Sequence, residues 1–294
     1  MSLGQLNFFG KDKVQVSIDR IKTFEPPDGY FLAFSGGKDS VCIKALADMA
    51  GVKYDAHYSV TTVDPPELVQ FIKQYHPDVA FEKQHWKEDG KFHKAGDPIT
   101  MWNLIPEKLM PPTRVARYCC DYLKEQGGHN RFVMTGVRWA ESAKRAKNRG
   151  GVEVSDRKSD RKLEQHDPDN PDQELIHLCM TKKQRILNPI IDWTEDEVWE
   201  FIHEYNVPYC KLYDEGLARL GCIACPLAGR QKQREELDRW PIMKRHYLVA
   251  FEKMIVARRD KELEKEWPDA ESVMRWWIGE TDSPGEQIQE GVDI

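Results

Sequence analysis

Three features of the sequence predict an α/β fold: a doubly wound parallel sheet with a helical extension toward the C-terminal end. Short apolar runs rich in β-branched and aromatic residues alternate with segments of helical period over residues 14–137, the pattern of strands joined by crossover helices. SGGKDS (35–40) and TGVRWAES (135–142) each follow or end such a run, at the carboxyl ends of strands where doubly wound sheets bind ligands. Beyond Cys225 the chain is charged and helical in period, with Trp240, Tyr247, Phe251, Trp267, Trp276 and Trp277 available to pack it.

In chain order, Val14, Ile18, Ile21 and Phe24 recur at helical spacing and Pro26-Pro27-Asp28-Gly29 stops that helix. Tyr30 to Phe34 reads as a strand, and SVCIKALADMAG as a helix ended by Gly51. DAHYSVTTV is strand-like, PPELVQFIKQYH opens a helix on proline, and VAFEK is a further short strand. RFVMTGV (131–137) is a strand running into a polar helical stretch. Residues 150–174 carry almost no apolar side chains and read as a mobile surface loop or lid. Thr194, with Glu197 three residues on, caps a helix presenting Val198, Trp199, Phe201 and Ile202. The residues from Glu280 onward are acidic and expected to fray. The division expected is an N-terminal helix over 1–29, an α/β domain over 30–230 and a helical region over 231–294.

With 294 residues, 40% of them hydrophobic, the chain can bury a substantial core. No apolar run reaches the ~20 residues of a membrane span and the first residues do not read as a secretory signal, so a cytoplasmic location without membrane partners is expected. A net charge of −6 argues against a protein coated in basic charge for indiscriminate nucleic-acid binding. The cysteines are odd in number and include an adjacent pair and a C-x-x-C, which favours metal or redox chemistry over a disulfide framework.

Two glycines at a strand-to-helix turn let backbone N–H groups face an anion at the positive end of the helix dipole. Lys38 adds charge, and Ser35 and Ser40 add hydroxyls. The stretch lacks the G-x-x-x-x-G-K-[ST] spacing, so transfer of a terminal phosphoryl group is not implied. Asp39 is an oxygen ligand suited to Mg²⁺ beside phosphates.

SGGKDS resembles the pyrophosphate (PP) loop of the adenine nucleotide alpha hydrolases. With VTTVDPPEL (60–68), RYCCDYLKE (117–125), TGVRWAES, NPIIDWTEDEVWEFI (188–202), PYCKLYDEG (208–216) and GCIACP (221–226), the chain resembles the phosphoadenosine phosphosulfate (PAPS) reductase family over residues 25–230. The resemblance implies that Ser35, Gly36, Gly37, Lys38, Asp39 and Ser40 bind the phosphates of ATP or of a sulfonucleotide. It also implies that Asp64 and Glu67 lie beside that ligand, and that Gly136 and Arg138 face it. Lys38, Asp39 and Arg138 are the expected catalytic residues. Arg138, Lys144, Arg145, Lys147 and Arg149, against Glu141 alone, either hold a polyanionic substrate or form a solvated face.

Cys119, Cys120, Cys210, Cys222 and Cys225 offer thiolates enough for a four-cysteine site, a ligand type that iron–sulfur clusters and structural zinc share. The adenylylsulfate reductases of the family carry a [4Fe–4S] cluster on a CC…CxxC pattern, which implies iron over zinc and matches Cys119, Cys120, Cys222 and Cys225. A set of Cys210, Cys222, Cys225 and one member of the adjacent pair remains open. Cys42 and Cys179 read as small buried apolar residues.

Sulfonucleotide reductases of the family attack sulfur with a cysteine near the C-terminus, and this sequence has none after Cys225. The expected chemistry is therefore ATP cleavage at the alpha-phosphate, adenylylation of an acceptor and sulfur transfer to it. A sulfur donor is implied, and a nucleic acid is one possible acceptor. The alternatives are a PAPS or adenylylsulfate reductase drawing on a thiol reductant protein and releasing sulfite, and a non-catalytic nucleotide and redox sensor.

Overall fold

The computed structural model describes residues 3–6, 10–156, 159–164, 184–263 and 267–281. Cys179, residues 165–174 of the expected lid and the acidic end beyond Thr281 lie outside the described residues. The chain forms two compact units, one comprising residues 1–59, 66–82 and 127–220, the other 60–65, 83–126 and 221–294.

The first unit holds a seven-stranded sheet. Its strands are β1 (Tyr30–Ala33), β2 (Tyr54–Ser59), β3 (Ala80–Glu82), β4 (Phe132–Met134), β5 (Val152–Asp156), β6 (Ser159–Glu164) and β7 (Gln184–Leu187), in the order β3-β2-β1-β4-β7-β5-β6. β3, β2, β1, β4 and β7 run parallel. The chain winds outward from β1 through β2 and β3 and returns to place β4 on the other side of β1. That makes a switch point between β1 and β4, where adjacent loops diverge and leave a crevice.

Helix α1 (Lys13–Thr23) starts at Asp12, whose carboxylate accepts from the Gln15 N–H, and buries Val14, Ile18 and Ile21. Tyr30, fully buried in β1, donates its hydroxyl to the Ile21 carbonyl and so ties strand to helix. Helix α2 (Lys38–Ala50) begins two residues earlier than its apolar pattern suggests, because Gly37 already takes the extended N-cap conformation. It ends at Gly51, whose φ of 69° only glycine adopts without strain. Pro66 opens α3 (Pro66–Tyr75). The short α6 (Ala143–Asn148) is capped by Ser142, and α7 (Glu195–Glu204) carries the expected capping box between Thr194 and Glu197.

Residues 152–156 and 159–164 form strands where a loop or lid is expected. β5 and β6 form an antiparallel hairpin that extends the sheet beyond β7. Few apolar side chains are needed there, because β7 supplies the backbone partners that a loop would seek in water. Val152 and Glu153 are nonetheless buried. The Asn188 side chain donates to the Gly150 carbonyl and to Glu153 Oε1, each at 2.8 Å.

The second unit is helical: α4 (Met101–Lys108), α5 (Tyr118–Leu123), α8 (Arg230–Arg239), α9 (Pro241–Asp260) and α10 (Ala270–Trp277). α9 packs on α4 and α10, and Tyr247 meets Trp102 and Trp277 at ring-centroid distances of 5.2 and 4.7 Å. The C-terminal helices thus share a core with residues 83–126. No described helix is long and apolar enough to cross a membrane.

Candidate functional site

At the end of β1 the chain turns on Gly36, with φ of 73°; a Cβ there would meet the methyl carbons of Leu68 and Ile72 at 2.7 and 2.8 Å. Both the conformation and the space demand glycine. Ser40 folds its hydroxyl back on the Gly37 carbonyl at 2.8 Å and lies 3.2 Å from the Ser35 hydroxyl. The first amide of α2, on Lys38, donates to the Tyr213 hydroxyl at 2.8 Å. Lys38 is buried, its Nζ donating to the Ala218 carbonyl at 3.1 Å and lying 3.4 Å from Glu195.

From the end of β4, Gly136 passes so close to α2 that a Cβ would lie 2.9 Å from Asp39 Cβ and 3.0 Å from its backbone. That approach brings Arg138, 2% exposed, to donate from Nε to Asp39 Oδ1 at 2.6 Å. Burial pushes the Asp39 carboxyl above its ordinary range, and Arg138 and Lys38 partly counter this. Of the expected nucleotide residues, Ser35 to Ser40, Gly136 and Arg138 therefore converge at the switch point, with Glu67 on the first turn of α3 in the same unit.

Asp64 lies in the loop that precedes α3. It belongs to the second unit, where it accepts from the Thr61 N–H at 3.1 Å and neighbours Lys124 and Cys222. In the basic stretch 138–149, whose residues 139–143 and 146–148 are exposed, Arg138, Arg145 and Arg149 are paired with Asp39, Glu141 and Glu153.

Cys119 and Cys120 sit on α5, and Cys222 and Cys225 flank the turn at Ala224, which has φ of 57°. All four are in the second unit and all are half-buried. A hydrogen bond from Cys119, aided by Arg117 Nη2 at 3.2 Å, brings the Cys120 thiol down to about 6, while Cys119 itself is raised. Cys119 also feels Cys222 and Cys225. Attraction to a Cys222 thiolate, and then to Asp64, holds Lys124 in its charged form. Burial raises Cys222, whose Sγ lies 3.6 Å from the Thr61 hydroxyl. Cys210 is fully buried in the first unit, and the charged groups it feels are Glu67, Glu215 and Lys211. The donor type of the four-cysteine neighbourhood fits an iron–sulfur cluster or zinc. Among the described residues, no three His, Cys, Asp or Glu side chains are spaced to hold a metal ion.

Three functional candidates carry no motif of their own in the sequence: Tyr213, Glu195 and Lys124. Tyr213 lies within PYCKLYDEG and Lys124 within RYCCDYLKE, where the cysteines are the more conspicuous residues.

A domain model described as "Phosphoadenosine phosphosulfate reductase domain" matches residues 29–228. The chain belongs to this family. An adenosine 5'-phosphosulfate reductase of Staphylococcus haemolyticus (strain JCSC1435) is 22% identical over 200 residues, 67% of this chain and 68% of that protein. Adenosine 5'-phosphosulfate reductase 2 of Bacillus subtilis (strain 168) is 37% identical over 67 residues, 23% of this chain. The chain spans only 25% of the length of the Bacillus protein. Among solved structures, PAPS reductase from Candida auris aligns over 76% of this chain and 98% of that one with a TM-score of 0.43 and 12% identity. FMN adenylyltransferase of Candida glabrata aligns over 72% of this chain and 64% of that one, with a TM-score of 0.41 and 13% identity.

Proposed function

We propose that this PAPS reductase family chain binds an adenine nucleotide at Ser35–Ser40 and uses it in sulfur-transfer chemistry. The observation that carries the proposal is the convergence of the glycine turn, the α2 N-terminus, Lys38 and the Arg138–Asp39 pair at the switch point of the sheet. Such a site neutralises a pyrophosphate and leaves the alpha-phosphorus open to attack.

With ATP, an acceptor hydroxyl attacks the alpha-phosphorus. The new O–P bond forms as the bond to pyrophosphate breaks, and the hydroxyl proton leaves to water. Hydrosulfide from a sulfur donor then displaces AMP, forming the C–S bond and returning the C–O bonding pair to AMP. Lys38 and the α2 amides hold the leaving pyrophosphate, and Arg138 braces Asp39 at the helix start. Mg²⁺ suits a site of one carboxylate plus phosphates, with Asp39 as the protein ligand. A [4Fe–4S] cluster would be held by Cys119, Cys120, Cys222 and Cys225 and would supply redox or sulfide-carrying capacity. Because Arg138, Arg145 and Arg149 already have carboxylate partners, they add little surplus charge for a nucleic-acid acceptor. A second reading, reduction of a sulfonucleotide to sulfite by a thiol donor, is favoured by the Staphylococcus relative's being an adenosine 5'-phosphosulfate reductase.

The test is anaerobic purification, assay of iron and acid-labile sulfide, and incubation with ATP and Mg²⁺. Release of AMP and pyrophosphate, lost in Lys38→Ala, is the expected result. Sulfite release from adenylylsulfate with a thiol, without ATP cleavage, overturns the ATP reading in favour of the second.

A further inference from the structure

Residues 135–139 lead from the end of β4 past Arg138, and both ends of this short segment are tied to one buried polar network. At the first end Thr135 donates its N–H to the Leu187 carbonyl at 2.8 Å and its hydroxyl to Asn188 Oδ1. At the other end Trp139 donates its backbone N–H to the Ile191 carbonyl at 2.8 Å and its indole N–H to the Arg149 carbonyl at 2.7 Å. Asn188 and Glu153 lie between these ends and are fully buried. The Asn188 amide donates to the Gly150 carbonyl and to Glu153 Oε1 while its oxygen accepts from Thr135, a set of bonds that neither an apolar nor a charged residue of its size can make. Arg149 closes the circuit, since its Nε donates to Glu153 Oε1 at 2.6 Å and its carbonyl holds Trp139. Apolar residues of the same volume would hold the sheet together at least as well as a buried ion pair, but they would not orient the Thr135 hydroxyl.

We infer that Asn188 and Glu153 are positioning residues for the nucleotide site, an inference that rests on the reading of Ser35–Ser40 as the nucleotide loop. They act through Thr135: with that end of the segment fixed, Gly136 passes closely over α2 and Arg138 Nε meets Asp39 Oδ1 at 2.6 Å. Loosening the network leaves the segment with backbone anchors alone. Arg138 then drifts from Asp39 and no longer braces it beside the phosphates.

Calorimetric titration of the full chain with a non-hydrolysable ATP analogue and Mg²⁺ tests this, with denaturant melts on the same variants. Thr135→Val removes the hydroxyl at nearly constant volume and is expected to weaken binding ~5-fold, whereas Thr135→Ser keeps the hydroxyl and is expected to bind as wild type does. Asn188→Asp sets a second carboxylate against Glu153 Oε1 and is expected to weaken binding ~10-fold. Glu153→Gln in the same chain removes that repulsion, returns a donor, and is expected to restore most of the affinity. In an Arg138→Met background neither Thr135→Val nor Asn188→Asp should weaken binding further, because both act through that side chain. A network that serves folding alone would lower the melting midpoints and leave the affinity of the folded chains unchanged. That result overturns the inference, as does an additive loss in the Arg138→Met background. A wild-type chain that binds no analogue overturns the nucleotide reading itself, and the inference with it.

Discussion

The Tyr213 hydroxyl lies 2.8 Å from the Lys38 backbone nitrogen and accepts the first hydrogen bond that α2 has to offer. An anion arriving at the helix start would seek that same N–H. Tyr213→Phe is therefore expected to tighten binding of a non-hydrolysable ATP analogue by ~5-fold, the value of about one net hydrogen bond. Folding stability is expected to fall by about 1 kcal/mol. Calorimetric titration with denaturant melts checks both. Weaker nucleotide binding would mean that the hydroxyl serves the ligand directly.

Gly136→Ala tests the close passage of β4's end over α2. The new methyl carbon would lie 2.9 Å from Asp39 Cβ and 3.0 Å from its backbone, and helix backbone cannot step aside as a flexible side chain can. A loss of roughly 1–3 kcal/mol is expected, with weakened nucleotide binding. Thermal melts and the same titration measure it, and an unchanged melting temperature contradicts the packing described.

Arg138→Met leaves Asp39 without its guanidinium and should cost about 3 kcal/mol near neutral pH, most of which Asp39→Asn in the same chain should recover. The carboxyl already sits above its ordinary 3.8 in the folded protein, so the fold binds the proton more tightly than the unfolded chain does. Its contribution is complete below 3.8 and is lost as pH rises through the folded value. Without Arg138 the folded value climbs further, and the deficit of the variant should widen as pH rises from 3.8. Denaturant midpoints across that range decide, and a deficit independent of pH excludes this account.

His76 provides an acid-side counterpart. It is packed against Phe34 and Phe71, and burial with the nearby Lys44 charge lowers its pKa from 6.5 to about 4, despite the opposing pull of Asp78 and Asp48. The unfolded chain takes up this proton first, so the contribution is present above pH 6.5 and declines as pH falls toward 4. His76→Leu is expected to flatten the stability profile over that interval in urea titrations. A profile as steep as wild type would assign the acid limb to other groups.

Cysteine replacements separate the two candidate ligand sets. Cys222→Ser is expected to abolish iron retention after anaerobic reconstitution, while Cys210→Ser keeps the full iron content. Cys210 is fully buried, and the charged groups it feels are Glu67, Glu215 and Lys211. Equal loss in both variants would bring Cys210 into the ligand set, and zinc without iron in the wild type would replace the cluster.

The alternation of apolar runs and helical periods, the glycine loop and the Thr194–Glu197 cap were legible because each is set by neighbours a few residues away. Gly36 and Gly51 needed only a local left-handed turn, and the α2 amides follow from the turn into the helix. What the sequence by itself determined was therefore the parallel α/β core and the glycine turn into α2 at its strand ends. Only the tertiary structure decided which distant side chains meet there. Tyr213 reaches the Lys38 amide across 175 positions and Arg138 reaches Asp39 across 99, separations over which no local pattern carries information. The hairpin of β5 and β6 was likewise hidden, since polar residues pair in a sheet when a neighbouring strand satisfies their backbone. Asp64 lies with Lys124 and Cys222, and the 138–149 arginines with their carboxylates, because charge finds its partner through folding and not through sequence order.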